Sequence, residues 1–424
     1  DYAHGARSVS LNSAINIEHA NIETTGNVAF GARAEGGGAV SISNSVISTA
    51  GNSSYGLDST GSGSVLHASN VVINTSGTDF DGTTASGAVS EFGGRLILQG
   101  AKITIDGANA MGLLSQSRGT AFDDPTVLSA TNAEILTSGN FGHGAVACSM
   151  GVGASAECAG AVDGQDTGIE APQVLLQLAN STIDTTGAGS YGVLAKGAGA
   201  SLELRNVGIT TTGAGSHGAF ASSGGTATIT DSTVNTNGDG SHGLSAQDGS
   251  SVTATDTTVQ TAGPDSAGVY LSDNSTAVLN HSSIVTLDGP ALQTGSGTVS
   301  YELTNGTFIN GNGTLLLAAA DSNTTLTADG NVSLSGDIVA ESSNILSDTG
   351  IDVSLSNSSR WQGAAKGVTS AAIDGTSYWQ MTGSSDVGSL SNDGTVEFDA
   401  ANPYKTLTVG TLDVNGGSFI LNAK

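Results

Sequence analysis

The sequence predicts an all-β fold, a solenoid of short parallel strands stacked coil upon coil. Three observations carry this: a period that restarts itself, apolar runs that alternate, and glycine-rich corners between them. The stretch from Asn180 to Gly249 restarts at Gly192, Gly218 and Gly243, giving a unit of 26 and then 25 residues. A unit that short cannot fold alone and must bury its apolar side against its neighbours. Runs such as SLELR (201–205), TATIT (226–230) and AVSIS (39–43) alternate with period two and are bounded by TTGAGS, NGDGS or GGG, the pattern of strands rather than of a helix. Three short strands and three corners use about 25 residues, whereas a propeller blade takes about 40 and a leucine-rich repeat shows a regular leucine and asparagine frame. The fold expected is therefore a parallel β-helix, with about 15 coils at about 4.8 Å each.

Along the chain, residues 1–75 read as regular coils, with Phe30-Gly31 and Tyr55-Gly56 25 residues apart. The spacing lengthens near 78–94 and 116–126, where FDGTT and FDDPT mark excursions, and most of all at 145–179. That longest insertion is either a binding loop or an insertion tolerated on a solenoid corner. Regular coils return from 180 to about 286. Beyond Leu287 the turns become NG, DG and SG, and the only tryptophans, Trp361 and Trp379, appear. Larger side chains widen and close a solenoid core. Residues 1–355 are accordingly expected to hold the repeats with their insertions, and 356–424 a distal cap.

Parity assigns faces. In YGVLAKG, Tyr191, Val193 and Ala195 share the more apolar side and are placed inward. Leu202 and Leu204 follow from the next strand, and Ile183, Ile209 and Val234 from the third, with Thr185, Thr211 and Thr236 stacked at the corner. Leu194, Phe220, Ser245 and Tyr270 then stack outward beside Lys196, Ser222, Gln247 and Ser272. This line is either a shallow recognition strip or a place covered by the long insertion. A second outward line, Asp184, Thr210, Asn235 and Gln260, is a polar ladder able to hydrogen-bond a protein or glycan. Candidate partner-face residues are thus Asp184, Leu194, Lys196, Phe220, Asn235, Gln247, Gln260 and Tyr270.

A formal charge of −27, from 38 acidic and 11 basic residues, disfavours nucleic acid and anionic bilayers as partners. No apolar run reaches the 18 residues of a membrane-spanning helix. The start, Asp1-Tyr2-Ala3, shows no basic or hydrophobic leader, so one was removed or none existed. Cys148 and Cys158, the only thiols, are separated by a Gly, Ala and Ser spacer that closes readily, so a local disulfide in an oxidising setting is expected. Two soft ligands alone do not make a zinc site.

No catalytic constellation emerges, and the chain is not expected to be an enzyme. The string from Asn237 to Ser241 resembles a protease GDSG context but is a repeat corner. Carboxylates for polysaccharide cleavage or calcium cluster at Asp163, Asp166 and Glu170, or at Asp123 and Asp124, without the bases or loop spacing those chemistries need. His217 and His242 align with Phe30, Tyr55 and Tyr191, which reads as ring stacking at the core edge, with a pH sensor or metal pair as the rival. No cofactor or metal is expected.

The C-terminal succession SNSSRWQGAAKG (356–367), GTSYWQMTGSSDVGSLSNDGTVEFD (375–399) and YKTLTVGTLDVNGGSFILN (404–422) resembles the distal passenger region of AIDA-like and pertactin-like autotransporters. Trp361, Trp379, Met381, Gly383, Val387, Leu390, Gly394, Val396, Phe398, Leu407, Val409, Leu412, Gly416, Phe419 and Leu421 occupy that pattern. The resemblance implies a right-handed parallel β-helix, exported through the periplasm and displayed at the outer membrane of a Gram-negative cell, with residues 356–424 as an autochaperone-like segment. The outer-membrane β-barrel of such proteins is absent from this chain. The function implied is adhesion to host extracellular-matrix protein or glycan. The alternative is self-association with an identical passenger on a neighbouring cell, in aggregation and biofilm, and a β-helix polysaccharide-degrading enzyme is the third reading.

Overall fold

The computed structural model describes residues 3–78, 84–118, 124–150, 158, 172–341, 350–401 and 404–422. Strands and turns make up the described residues, with no helix among them, and neighbouring coils pair in parallel. The fold is a right-handed parallel β-helix. It divides into two compact units, Asp1–Gly238 and Asp239–Lys424. The boundary expected after residue 355 falls within the second.

In the first unit each coil carries three strands, as in Ala32–Glu35, Ala39–Ser43 and Val46–Thr49. Each pairs in register with its counterpart one coil on, so side chains of one kind meet: Ile47 faces Ile73, which faces Ile103, which faces Ile135, all fully buried. Burying an aliphatic side chain of this size contributes about 1.5–3 kcal/mol. Between second and third strands the chain turns through one residue of positive φ, held by Asn44, Asn70, Asn132, Asn180, Asn206 and Asp231 at 48–53°. Asn and Asp tolerate this left-handed region better than other non-glycine residues. Their side chains also bond between coils, as Asn206 donates to the Asn180 side-chain oxygen at 2.8 Å.

At the third corner the expected threonine ladder is present, with Thr185, Thr211 and Thr236 buried and in register. Each hydroxyl closes its own turn: Thr137, Thr185 and Thr211 donate to the carbonyls of Gly142, Ser190 and Ser216 at 2.7–2.9 Å. Serines then tie coil to coil. The Ser216 hydroxyl accepts from the Ser190 N–H and donates to the Gly187 carbonyl, both at 3.0 Å. Here the backbones approach so closely that a Cβ on Gly187 would stand 2.0 Å from the Gly139 carbonyl oxygen.

The second unit begins with the same three-strand coils and passes to longer strands such as Gly297–Thr304 and Phe308–Ala318. Tyr301, fully buried, donates its hydroxyl to the Gln293 carbonyl at 2.6 Å. Further on, Leu334, Trp361, Trp379, Val396 and Phe419 form one register line. The two indoles stack at 4.7 Å and donate to the carbonyls of Gly336 and Gly363 at 2.9 and 3.0 Å. A buried tryptophan needs such a partner for its N–H.

Candidate functional site

Two places in the first unit bring polar chemistry together: the outer side of the first strands and the outer side of the third strands.

The first strands place Arg7, Arg33, Asp58, Val89, Leu114, Val146, Leu194 and Phe220 on one outward line. Beside it run Glu35, Thr60, Glu91, Gln116, Cys148 and Lys196. The line is charged at its start and apolar thereafter. Its apolar part is covered. Leu194 is 3% exposed, Phe220 6% and Lys196 5%, in a cluster that also holds Val146, Met150 and the bonded cysteines. This corrects the expectation that these three residues offer an exposed strip. Cys148 and Cys158 form a disulfide with Cα atoms 5.8 Å apart, and the Cys158 sulfur lies 3.7 Å from that of Met150.

The corner rings belong to this outer cluster and not to the coil interior where parity placed Tyr191. Tyr191 meets the Phe220 ring edge-on at 5.1 Å. The turn at Gly192 interrupts the strand alternation, so parity does not carry across it. The rings stack along the helix: His4 on Phe30 and Phe30 on Tyr55, then His143 on Tyr191 and Tyr191 on His217, at 4.7–5.1 Å. Within the second unit His242 stacks on Tyr270 at 4.7 Å. The histidines do more than stack. His4, His143 and His242 accept the backbone N–H of Phe30, Tyr191 and Ala267 at Nδ1, which requires the neutral ring. Burial lowers the His242 pKa to about 4.

Ser86 and Met111 hold the place of Tyr55 in the next two coils, so the ring stack breaks there. Beside the break lies a cavity of about 250 Å³ lined by Phe30, Arg33, Tyr55, Thr84, Glu91, Phe92, Leu114, Gln116, Arg118 and Cys158. Next to it Asp58 is fully buried, and neither carboxylate oxygen accepts a hydrogen bond. Arg33 Nε lies 3.2 Å from Asp58 and 2.7 Å from Glu35, and its guanidinium sits 5.0 Å over the Phe30 ring. Glu91 accepts from the Gln116 amide. Burial, reinforced by Glu91, pushes the Asp58 carboxyl well above the carboxylate range against the pull of Arg33. Burial likewise raises Glu91, with Gln116 and Arg33 opposing. Sequence reasoning missed this cluster; the signal was the appearance of Arg33, Asp58 and Glu91 at outward positions occupied elsewhere by Leu, Val or Phe.

The third strands carry Glu23, Ser48, Asn74, Thr104, Leu136, Asp184, Thr210 and Asn235 on a second outward line. Asp184 and Asn74 are exposed, and Asn235 is half-buried. Along the line's first coils a shallow groove of about 340 Å³ runs past Glu23, Ser48, Asn74, Thr104 and Asp106. Gln247, Gln260 and Tyr270 lie in the second unit, Gln260 exposed and the other two half-buried. Asp123, Asp163, Asp166 and Glu170 lie outside the described residues, and no cluster of metal-ligating side chains occurs among the described ones.

These features accompany a clear fold likeness. The family described as the right-handed β-helix region matches residues 168–333. The chain is similar to Vag8 in the cryo-EM structure of the Vag8–C1 inhibitor complex, with a TM-score of 0.54 and 16% identity over 98% of this chain and 100% of that one. The Agl-KA catalytic domain aligns at a TM-score of 0.28 and 12% identity, over 92% of this chain and 63% of that one. The A-module of mannuronan C-5 epimerase AlgE4 from Azotobacter vinelandii aligns at 0.27 and 12%, over 84% and 88%. No curated protein matches the chain by sequence.

Proposed function

We propose that the chain is a non-catalytic β-helix displayed on a bacterial surface as an autotransporter-type passenger, and that it is an adhesin for a host extracellular-matrix protein or glycan. The observation that carries this reading is the polar flank of the third strands. One hydroxyl, amide or carboxylate per coil stands in register from Glu23 to Asn235, with Leu136 the single apolar member. Groups repeated at the coil spacing of about 4.8 Å pair with a partner extended along the helix. The charge of −27 favours a basic matrix protein over an acidic one. The resemblance of residues 356–422 to autotransporter passengers supports surface display. Vag8, which shares the fold, is seen in complex with a protein, C1 inhibitor. A second reading, self-association, draws on the same flank, because a regular polar ladder meets its own copy in an isologous antiparallel contact. Sedimentation of the protein over about 1–100 µM, followed by a binding screen of matrix proteins and glycans, separates the two. A monomer that binds a screened partner supports adhesion, and concentration-dependent dimerisation supports self-association.

A further inference from the structure

We infer that the cavity beside Asp58 binds a single neutral sugar ring. This site lies on the first strands, away from the polar flank, and does not depend on how that flank is used. Three features fix the ligand class.

Charge comes first. In a chain with only 11 basic residues, Arg7, Arg33 and Arg118 gather against Glu35, Asp58 and Glu91. The cluster is balanced, three against three. A charged ligand entering it leaves one charge unmatched in a largely buried site, which is costly. An apolar ligand instead leaves the cavity's Arg33, Glu91, Gln116 and Thr84 facing carbon and loses their hydrogen bonds with water. A polyol both donates and accepts, and adds no charge.

Shape comes second. The Phe30 and Tyr55 rings, parallel within 7° and 4.8 Å apart, contribute with Phe92 and Leu114 an apolar side for the C–H face of a pyranose. Glu91, Gln116 and Thr84 supply carboxylate, amide and hydroxyl groups for its hydroxyls. The third feature is size. A volume of about 250 Å³ equals about eight waters at about 30 Å³ each, enough for one ring and too little for an oligosaccharide. Exposed Arg118 and half-buried Phe92 mark the entrance.

The test is saturation-transfer NMR and calorimetric titration of the full chain with glucose, galactose and mannose, with glucuronate and glucosamine as anionic and cationic comparators. Saturable binding of at least one neutral hexose is expected, at least ten-fold tighter than either charged sugar. Arg118→Ala, at an exposed position, and Glu91→Gln should each weaken it at least ten-fold. Far-UV circular dichroism checks folding, and Arg118→Ala decides the matter if Glu91→Gln unfolds. Methyl glycosides that bind as well as the free sugar assign the end of a glycan chain, and binding of the free sugar alone assigns the monosaccharide; both support the inference. Absence of saturable neutral-sugar binding, tighter binding of a charged sugar, or affinity unchanged in folded Arg118→Ala overturns it.

Discussion

Replacing Gly192 by alanine should be far more damaging than replacing Gly208, although the two stand one coil apart in the first unit. A Cβ at residue 192 would lie 2.3 Å from Ile209 Cγ2 and 2.5 Å from the Gly218 carbonyl oxygen, both in the following coil. Carbon contacts are comfortable only near about 3.5–4.0 Å, so the coils must part by about 1 Å. That movement pulls on the bonds from Gly192 N–H to the His217 carbonyl at 2.9 Å and from Val193 N–H to that of Gly218 at 3.0 Å. Overpacking of this kind costs about 1–3 kcal/mol. At residue 208 the nearest atom to a Cβ is Thr233 Oγ1 at 3.7 Å, and the backbone is an ordinary strand without positive φ. Alanine there restricts the unfolded chain and stabilises by about 0.4–1 kcal/mol. The two variants should therefore differ by about 1.5–4 kcal/mol, the sum of those effects. Urea unfolding followed by circular dichroism reads the difference from the midpoints. Equal stabilities, within about 0.5 kcal/mol, would refute the close in-register stacking.

Other consequences concern charge and packing. Because Asp58 holds its proton more tightly when folded, wild-type stability should fall as pH rises from about 4 through the raised folded pKa. Asp58→Asn should remove that slope, unfolding later than wild type near neutral pH and alike near pH 4 in pH-dependent melts. His242 has the opposite sign: with its pKa lowered from 6.5 to about 4, stability is lost as pH falls across that window, by about 3 kcal/mol in all, and His242→Phe should flatten this part of the curve. Trp379→Ala should cost about 3–5 kcal/mol in urea unfolding and Trp379→Phe less, since only the N–H to Gly363 and part of the volume are lost. Reducing the disulfide between Cys148 and Cys158, which are 10 residues apart, should cost about 2–3 kcal/mol, measured as paired melts with and without reductant.

The coil architecture was legible in the sequence because period, strand alternation and corner glycines are local signals repeated many times. Thr185, Thr211 and Thr236 were placed correctly on the same grounds. The asparagine corners were equally visible, at Asn44, Asn70, Asn180 and Asn206, yet were not singled out, because the reading followed apolar residues and glycines. What parity could not supply is what lies on top of a face. Leu194 and Phe220 point away from the coil interior as expected but are buried, and whether an outward side chain meets water depends on distant chain. The cavity is hidden for a related reason: Arg33, Asp58, Glu91 and Gln116 come from successive coils, and only the register brings them together.

The account stands most directly on the polar flank. Wild-type protein and the doubly substituted Asn74→Arg/Asp184→Arg, both exposed positions on that line, can be compared for binding to immobilised matrix proteins and glycans, with exposed Gln99→Arg on a second strand as control. The prediction is saturable binding by wild type and Gln99→Arg, weakened about ten-fold or more, or about 1.4 kcal/mol, in the double variant. Equal binding by all three, or none by wild type, would contradict it.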